Sequence, residues 1–207
     1  MNIWNLLFKT INLIFRIKNK IYSHYYKRVL SSKDIYIQVP CRIIGSEYIT
    51  VIGGFSSLSG LRIECIDKYN NDEFSPKLKI GNKVSFNSNC HIGCINEIEI
   101  GDNVLVGSNV LITDHSHGSP NDEPSLPPSK RPLWSKGKVM IGANCWIGEN
   151  VCILPNVRVG NNCIIGAGSV ITKDIPPFSV IAGNPQRIIK TLKNNSEFVY
   201  NISERDI

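Results

Sequence analysis

A repeat of six residues runs through most of this chain and leaves little choice of fold. Counting by sixes gives Ile80, Phe86 and Ile92, then after a two-residue slip Ile100, Val106 and Ile112, and after an interruption Ile141, Ile147, Ile153, Val159, Ile165 and Ile171. All 12 positions are apolar, against 42% of the chain, and glycine follows directly in 8 of them, among them Gly93, Gly101, Gly107 and Gly148. Four residues beyond the aliphatic position stand small or β-branched side chains such as Val84, Cys90, Val104, Cys145, Val157 and Cys163. A period of six matches neither the 3.6 of a helix nor the 2 of a long strand, so each unit is a short strand followed by a turn. Glycine and asparagine, as in Gly101-Asp102-Asn103 and Gly160-Asn161-Asn162, supply the left-handed or tight backbone such turns need. Three units close a triangular coil, coils stack at the ~4.8 Å spacing of paired strands, and the aliphatic residues line up as one core. The expected fold is all-β, a parallel β-helix.

Composition matters mainly for where the charge lies. The formal net charge is +6, and residues 1–28 hold Lys9, Arg16, Lys18, Lys20, Lys27 and Arg28 with no acid, so the other 17 basic residues balance the 17 acidic ones. A neutral body argues against a nucleic-acid partner. Residues 1–30 place Trp4, Leu7, Phe8, Ile11, Ile14 and Phe15 at helical spacing, which predicts a basic amphipathic helix. Charges interrupt it too soon for a membrane span, and no small-residue cleavage site marks a signal peptide. Such a helix either lies on an anionic membrane or packs on its own domain or a neighbouring subunit. Seven cysteines without an export signal point to the reducing cytoplasm, including the inner face of the cell membrane. The run Cys90-His91-Ile92-Gly93-Cys94 invites a zinc reading, but a second ligand cluster is missing and no metal is expected.

The repeat breaks at ITDHSHGS, residues 112–119, and resumes only at Ile141. Five prolines and three glycine or asparagine residues in the break predict an extruded loop over 113–138 without helix or sheet. Loops of that length are functional or disordered, and Leu133 and Trp134, which favour burial, argue for function. Imidazole has the intrinsic pKa to take a proton from a hydroxyl near neutral pH, which makes the two histidines of the break candidates for a base.

The stretch IGANCWIGENVCILPNVRVGNNCIIGAGSVITKDIPPFSVIAGNPQRII resembles the hexapeptide-repeat acyltransferases, and within them the maltose, galactoside and nodulation-factor acetyltransferase branch. The resemblance covers roughly residues 35 to 190. It implies a left-handed coil, against the hand the usual crossover rule gives. Together with the helix read from spacing over 1–30, it divides the chain into that helix, the β-helix over 35–187 and a short C-terminal helix or tail over 188–207. Such proteins are trimers that bind acetyl-coenzyme A between neighbouring prisms.

The family's catalytic histidine stands where the loop leaves the coil, which matches His115 as general base and later as the acid that protonates the departing thiolate. His117 has the same strand parity and serves as acceptor contact or substitute, and Trp134 is placed with it on the acceptor side. Asp114 points the opposite way along a strand, so the partner that orients His115 is sought elsewhere. Asn87 matches an asparagine that holds the acceptor sugar. Trp146 matches an aromatic residue that packs on the pantetheine arm, and the backbone N–H near Gly148 an oxyanion donor. Ala167 and Gly168 match a small pair that lets coenzyme A approach the backbone, while Thr172, Lys173 and Arg187 match its adenine and phosphate end. The function implied is acetyl transfer from acetyl-coenzyme A to a sugar hydroxyl, with the carbohydrate acceptor belonging to a capsule, an O-antigen or a precursor. Alternatives are N-acetylation of an amino sugar or antibiotic, a carbonic-anhydrase-like zinc enzyme using His91, His115 and His117, and a scaffold without activity.

Overall fold

The computed structural model describes residues 2–121 and 125–192. From Asp34 onward the chain winds through three sheets in turn. The first holds Asp34–Ile37, Gly54–Ser57, Val84–Phe86, Leu105–Val106, Trp146–Ile147, Ile164–Ile165 and Ser179–Ala182, all parallel, and closes with the antiparallel Arg187–Thr191. The second holds Cys41–Ile44, Leu61–Cys65, His91–Cys94, Leu111–Thr113, Cys152–Ile153 and Val170–Ile171. The third holds Ile49–Val51, Lys77–Ile80, Glu97–Ile100, Val139–Ile141 and Arg158–Val159. One strand from each makes a coil, which is the β-helix the period of six requires.

The register stacks like on like. Phe86, Val106, Ile147, Ile165 and Ile181 align down the first sheet, Ile63, Ile92, Ile112, Ile153 and Ile171 down the second, and Ile80, Ile100, Ile141 and Val159 down the third. All twelve residues counted by sixes are at most 3% exposed, so each contributes about 1.5–3 kcal/mol of burial. Cys90, Cys145 and Cys163 are buried beside them as compact core residues. In the early coils the pattern slips by one: Ile43 and Val51 carry the inward positions, while the Ile44 and Ile52 of the sequence pattern are 41% and 60% exposed.

Asparagine and glycine divide the work at the corners. The left-handed backbone falls on asparagine, at Asn89, Asn109 and Asn150 on one corner and Asn103, Asn144 and Asn162 on another. Their side chains bond from coil to coil, Asn89 to Asn109 at 3.3 Å, Asn109 to Asn150 at 3.2 Å and Asn103 to Asn144 at 3.1 Å. The repeat's glycines answer a different need, close approach of backbones: a Cβ on Gly148 would lie 2.6 Å from the nitrogen of Ala167 in the next coil.

At the N-terminal end of the prism stands α1 (Ile3–Val29), capped by Asn2, whose side chain accepts from Trp4 N–H at 3.2 Å. Its last turns sit on the edge strand Asp34–Ile37. Ser23 Oγ accepts from Ile37 N–H at 2.9 Å, Asn19 Oδ1 accepts from Val39 N–H at 3.0 Å, and Tyr26 and Leu30 are buried. An otherwise open sheet edge is thereby covered.

The C-terminal helix or tail expected over 188–207 opens with the strand Arg187–Thr191 and not with helix, and 193–207 lie outside the described residues. The break is also not free of structure: Ser116–His117 pairs antiparallel with Leu133–Trp134, and Pro128–Lys130 forms a 3-10 turn. A small hairpin, Lys68–Tyr69 with Asp72–Glu73, reaches across to it, where Tyr69 Oη donates to the Ser129 carbonyl at 2.9 Å. The prolines limit the length of the ladder but leave room for two residues on each side.

Candidate active site

The second-sheet strand Leu111–Thr113 ends in a bend that its own last residue makes. Thr113 Oγ1 accepts from the N–H of His115 at 3.3 Å and donates to the His115 carbonyl at 3.2 Å. Strand alternation stops at that bend, so Asp114 and His115 are not forced to opposite faces. Asp114 is wholly buried; Oδ1 accepts from Ile95 N–H at 2.9 Å and Oδ2 from Asn96 N–H at 2.8 Å. The Cys94 thiol donates to Oδ2 at 3.4 Å, and the Cys65 side chain, burial and Asp114 push that thiol far above its usual pKa, so it stays a donor.

The fourth contact is with His115, whose Nδ1 lies 3.1 Å from Asp114 Oδ1. Asp114, set aside from sequence by strand parity, is therefore the orienting carboxylate. Since a carboxylate only accepts, Nδ1 carries the proton and Nε2 is left with its lone pair, the tautomer a general base needs. Among the described residues Nε2 has no hydrogen-bond partner, and the half-buried ring is 12% exposed.

A second histidine lies alongside. An added Cβ on Gly93 would sit 3.1 Å from His115 Cε1 and 3.6 Å from His91 Nε2, so the missing side chain makes room for both rings. His91 Nδ1 accepts from Arg62 Nη2 at 2.8 Å and Nε2 donates to Glu64 Oε2 at 3.3 Å. Burial first, and the Arg62 guanidinium second, hold its pKa below 6.5, so this ring is neutral and fully engaged. His91 was weighed from sequence only as a metal ligand, and Arg62 and Glu64 were missed, because only register places them beside strand His91–Cys94.

The other expected residues spread over two corners. Asn87, Gly148, Ala167 and Gly168 lie where the first sheet turns into the second, whereas His115, Thr172 and Lys173 lie where the second turns into the third. Trp146 stands on the outer face of the first sheet, 53% exposed between Leu105 and Ile164, and Arg187 is exposed at that sheet's antiparallel end. The N–H of Gly148 donates to the Ile165 carbonyl at 2.8 Å and is not free for an oxyanion. At that corner the N–H of Ala167 has no partner among the described residues, and Gly148, lacking a Cβ, leaves it uncovered, as Gly107 does for the N–H of Glu149 one coil earlier. A Cβ on Gly168, at φ +71°, would meet nothing within 4 Å, so that corner is open. The N–H groups of Thr172 and Lys173 both donate to Gln186 Oε1, at 2.6 and 3.1 Å.

His117 is exposed, with its ring 5.4 Å from that of Tyr69 in an edge contact. Opposed residues of a ladder share a face, so His117 goes with buried Leu133 and Trp134 goes with Ser116 on the other side. His117 and Trp134 are thus not one acceptor surface. Cys90 donates to the Gly107 carbonyl at 3.1 Å, and among the described residues no three His, Cys, Asp or Glu side chains converge as metal ligands would. Two grooves of about 540 and 550 Å³ lie on the outer face of the third sheet, and His115 lines neither.

The chain is similar to known proteins. The family model for the bacterial transferase hexapeptide (six repeats) matches residues 138–173. A relative from Escherichia coli K12, WbbJ, named for O-acetyl transfer in lipopolysaccharide biosynthesis, is 36% identical over 166 residues, covering 78% of this chain and 81% of its own. The chain belongs to the hexapeptide-repeat acetyltransferases. Two further members place it within that family. The galactoside O-acetyltransferase of the same organism is 36% identical over 132 residues, 61% of this chain and 60% of that one. The solved maltose O-acetyltransferase from Clostridium difficile 630 is 28% identical, with a TM-score of 0.52 over 86% of this chain and 88% of its own. Membership in the hexapeptide-repeat acetyltransferases carries the left-handed β-helix with it.

Proposed function

We propose that this acetyltransferase moves an acetyl group from acetyl-coenzyme A directly to a sugar hydroxyl of a cell-surface polysaccharide or its precursor. The observation that carries the reading is the Asp114–His115 pair, a buried carboxylate on Nδ1 that leaves Nε2 free, in a chain similar over most of its length to a lipopolysaccharide O-acetyl transferase. His115 Nε2 takes the hydroxyl proton as the oxygen attacks the thioester carbonyl carbon. The C–S bond then breaks, and the imidazolium returns the proton to the departing thiolate. Asp114 stabilises that imidazolium without itself gaining a proton, as a triad carboxylate does.

The donor side suits acetyl-coenzyme A. Trp146 with Leu105 and Ile164 offers an apolar strip for the pantetheine arm, the open corner at Gly168 admits it, and Ala167 N–H is available to a carbonyl oxygen. Lys173 and Arg187, both exposed, are cations for its phosphates, with Thr172 beside them. Asn87, partly buried on the same corner as Ala167, and either His117 or Trp134 hold the acceptor. Base and donor strip lie on different corners of one prism, so the complete site takes two copies of the chain, in a homotrimer. The enzyme works in the cytoplasm at the inner face of the membrane, where a glycan precursor is reached.

The test is coenzyme A release from acetyl-coenzyme A with simple sugars, amino sugars and glycan oligosaccharides. Turnover on a hydroxyl acceptor is expected to fall at least ~100-fold in His115→Ala, the low end of what a general base contributes. Full activity in that variant would move the base to His117, and turnover confined to amines would make the enzyme an N-acetyltransferase.

A further inference from the structure

The least explained feature of the molecule is the first eighteen residues of the chain. Residues 2–18 of α1 are exposed throughout, with Trp4 at 71%, Phe8 at 63% and Ile11 at 42%. A helix with that many free apolar side chains has a partner. The prism covers little of it: Phe15 and Lys18 at its margin line a groove with Val39, Pro40 and Cys41, and α1 is otherwise held to the prism through another sector.

At 100° per residue, Asn19, Ser23, Tyr26 and Leu30, which hold the edge strand, fall in one arc of about 60°. Lys9, Arg16, Lys20 and Lys27 form the adjoining arc. Leu6, Leu7, Ile11, Leu13, Ile14 and Ile17, with Trp4 and Phe15 at one margin, take about 200° of the rest, centred within about 30° of the direction opposite the prism, while Phe8 shares the line of Tyr26 about 27 Å further up the helix, where it is exposed. The apolar arc therefore points away from the body.

We infer that α1 lies in the surface of an anionic lipid bilayer, apolar arc down, with the β-helix held on the side away from the lipid. Three observations choose lipid over a second copy of the chain. The arc is too wide for the narrow seam of a helix pair. Residues 1–28 contain six cations and no carboxylate, so two copies brought together would face like charges only. The combination of a basic polar side and aromatic residues on the apolar side is that of an interfacial helix. No described helix is long and apolar enough to cross a membrane. Lys18, inside the apolar arc, reaches headgroups along its own stem. The inference deepens the location proposed above and rests on it only for which membrane is met.

The experiment is vesicle flotation of the full chain without acetyl-coenzyme A, so that it stands apart from the chemistry. Vesicles are phosphatidylcholine alone or mixed with phosphatidylglycerol. The protein is expected to float with the mixed vesicles and to stay below with the neutral ones. Replacing Leu7, Ile11 and Ile14 by Glu is expected to abolish flotation with His115 activity on soluble sugars retained. Replacing Lys9, Arg16 and Lys20 by Gln is expected to weaken it on the order of 100-fold, since each basic residue near such a surface contributes about 1 kcal/mol. Equal flotation on both vesicles, or none, overturns the inference. Light scattering of the same variants then tells why: an oligomer that dissociates in L7E/I11E/I14E assigns the arc to a second copy.

Discussion

At the scale of single residues, His115, the proposed base, is held by its neighbour in sequence. Asp114 accepts from two backbone N–H groups and a thiol before it meets His115, so its position is fixed by the preceding coil and not by the histidine. Asp114→Asn keeps the shape but offers an NH2 where Nδ1–H needs an acceptor, favouring the wrong tautomer. The kcat is expected to fall by about 10²–10⁴ with KM for acetyl-coenzyme A nearly unchanged, the pattern of a triad carboxylate. Steady-state kinetics beside a thermal melt checks this; a variant that only melts lower, with kcat intact, would make Asp114 structural. The pair was hidden in the sequence because a period-2 strand puts adjacent side chains on opposite faces, and only the Thr113 bend removes that rule. Which N–H near Gly148 is free was hidden for a related reason: Gly148 is legible as a glycine, but that its own N–H belongs to the Ile165 carbonyl is a matter of stacking.

At the scale of elements, the repeat was almost fully readable. Each inward aliphatic residue counted by sixes is buried, because a stacked coil has one interior and the same corner recurs every turn. The corners are less obvious, since asparagine there has two separate tasks. Asn109 adopts φ 58° and also bonds to Asn89 and Asn150. Asn109→Ala loses both and is expected to destabilise the protein by at least ~1–2 kcal/mol, the cost of the left-handed backbone. Asn109→Gly, which keeps the backbone free, is expected to lose less, and denaturant unfolding of the two variants separates the ladder from the turn. The break shows the limit of composition: prolines mark a loop, but the pairing of Ser116–His117 with Leu133–Trp134 and the strut from Tyr69 depend on a hairpin sixty residues away.

For the whole molecule, the decisive fact is that His115, the proposed base, and Trp146 with Leu105 and Ile164, the proposed donor strip, occupy different corners of one prism. Sites assembled from two subunits can be rebuilt from two defective ones. His115→Ala lacks the base, and Ala167→Trp, at an exposed position, fills the donor corner. Each alone is expected to be inactive, while equal mixing during refolding is expected to restore about a quarter of native activity, the share of sites that pair an intact base with an intact corner in a cyclic trimer. Activity that never returns would place both halves within one chain.

The sequence by itself determined the β-helix, its core and the place where the coil opens for chemistry, because those follow from a local period that burial must respect in every turn. It also located the net charge, all of it on the first helix. Only the tertiary structure decided that Asp114 holds His115, that Gly93 lets two imidazoles share one surface, that His117 and Trp134 part company, and that α1 turns its apolar arc away from the prism. Each of these depends on which backbone lies next to which, and neighbours one coil apart are 16 to 41 residues distant along the chain, beyond the reach of any pattern read by local spacing.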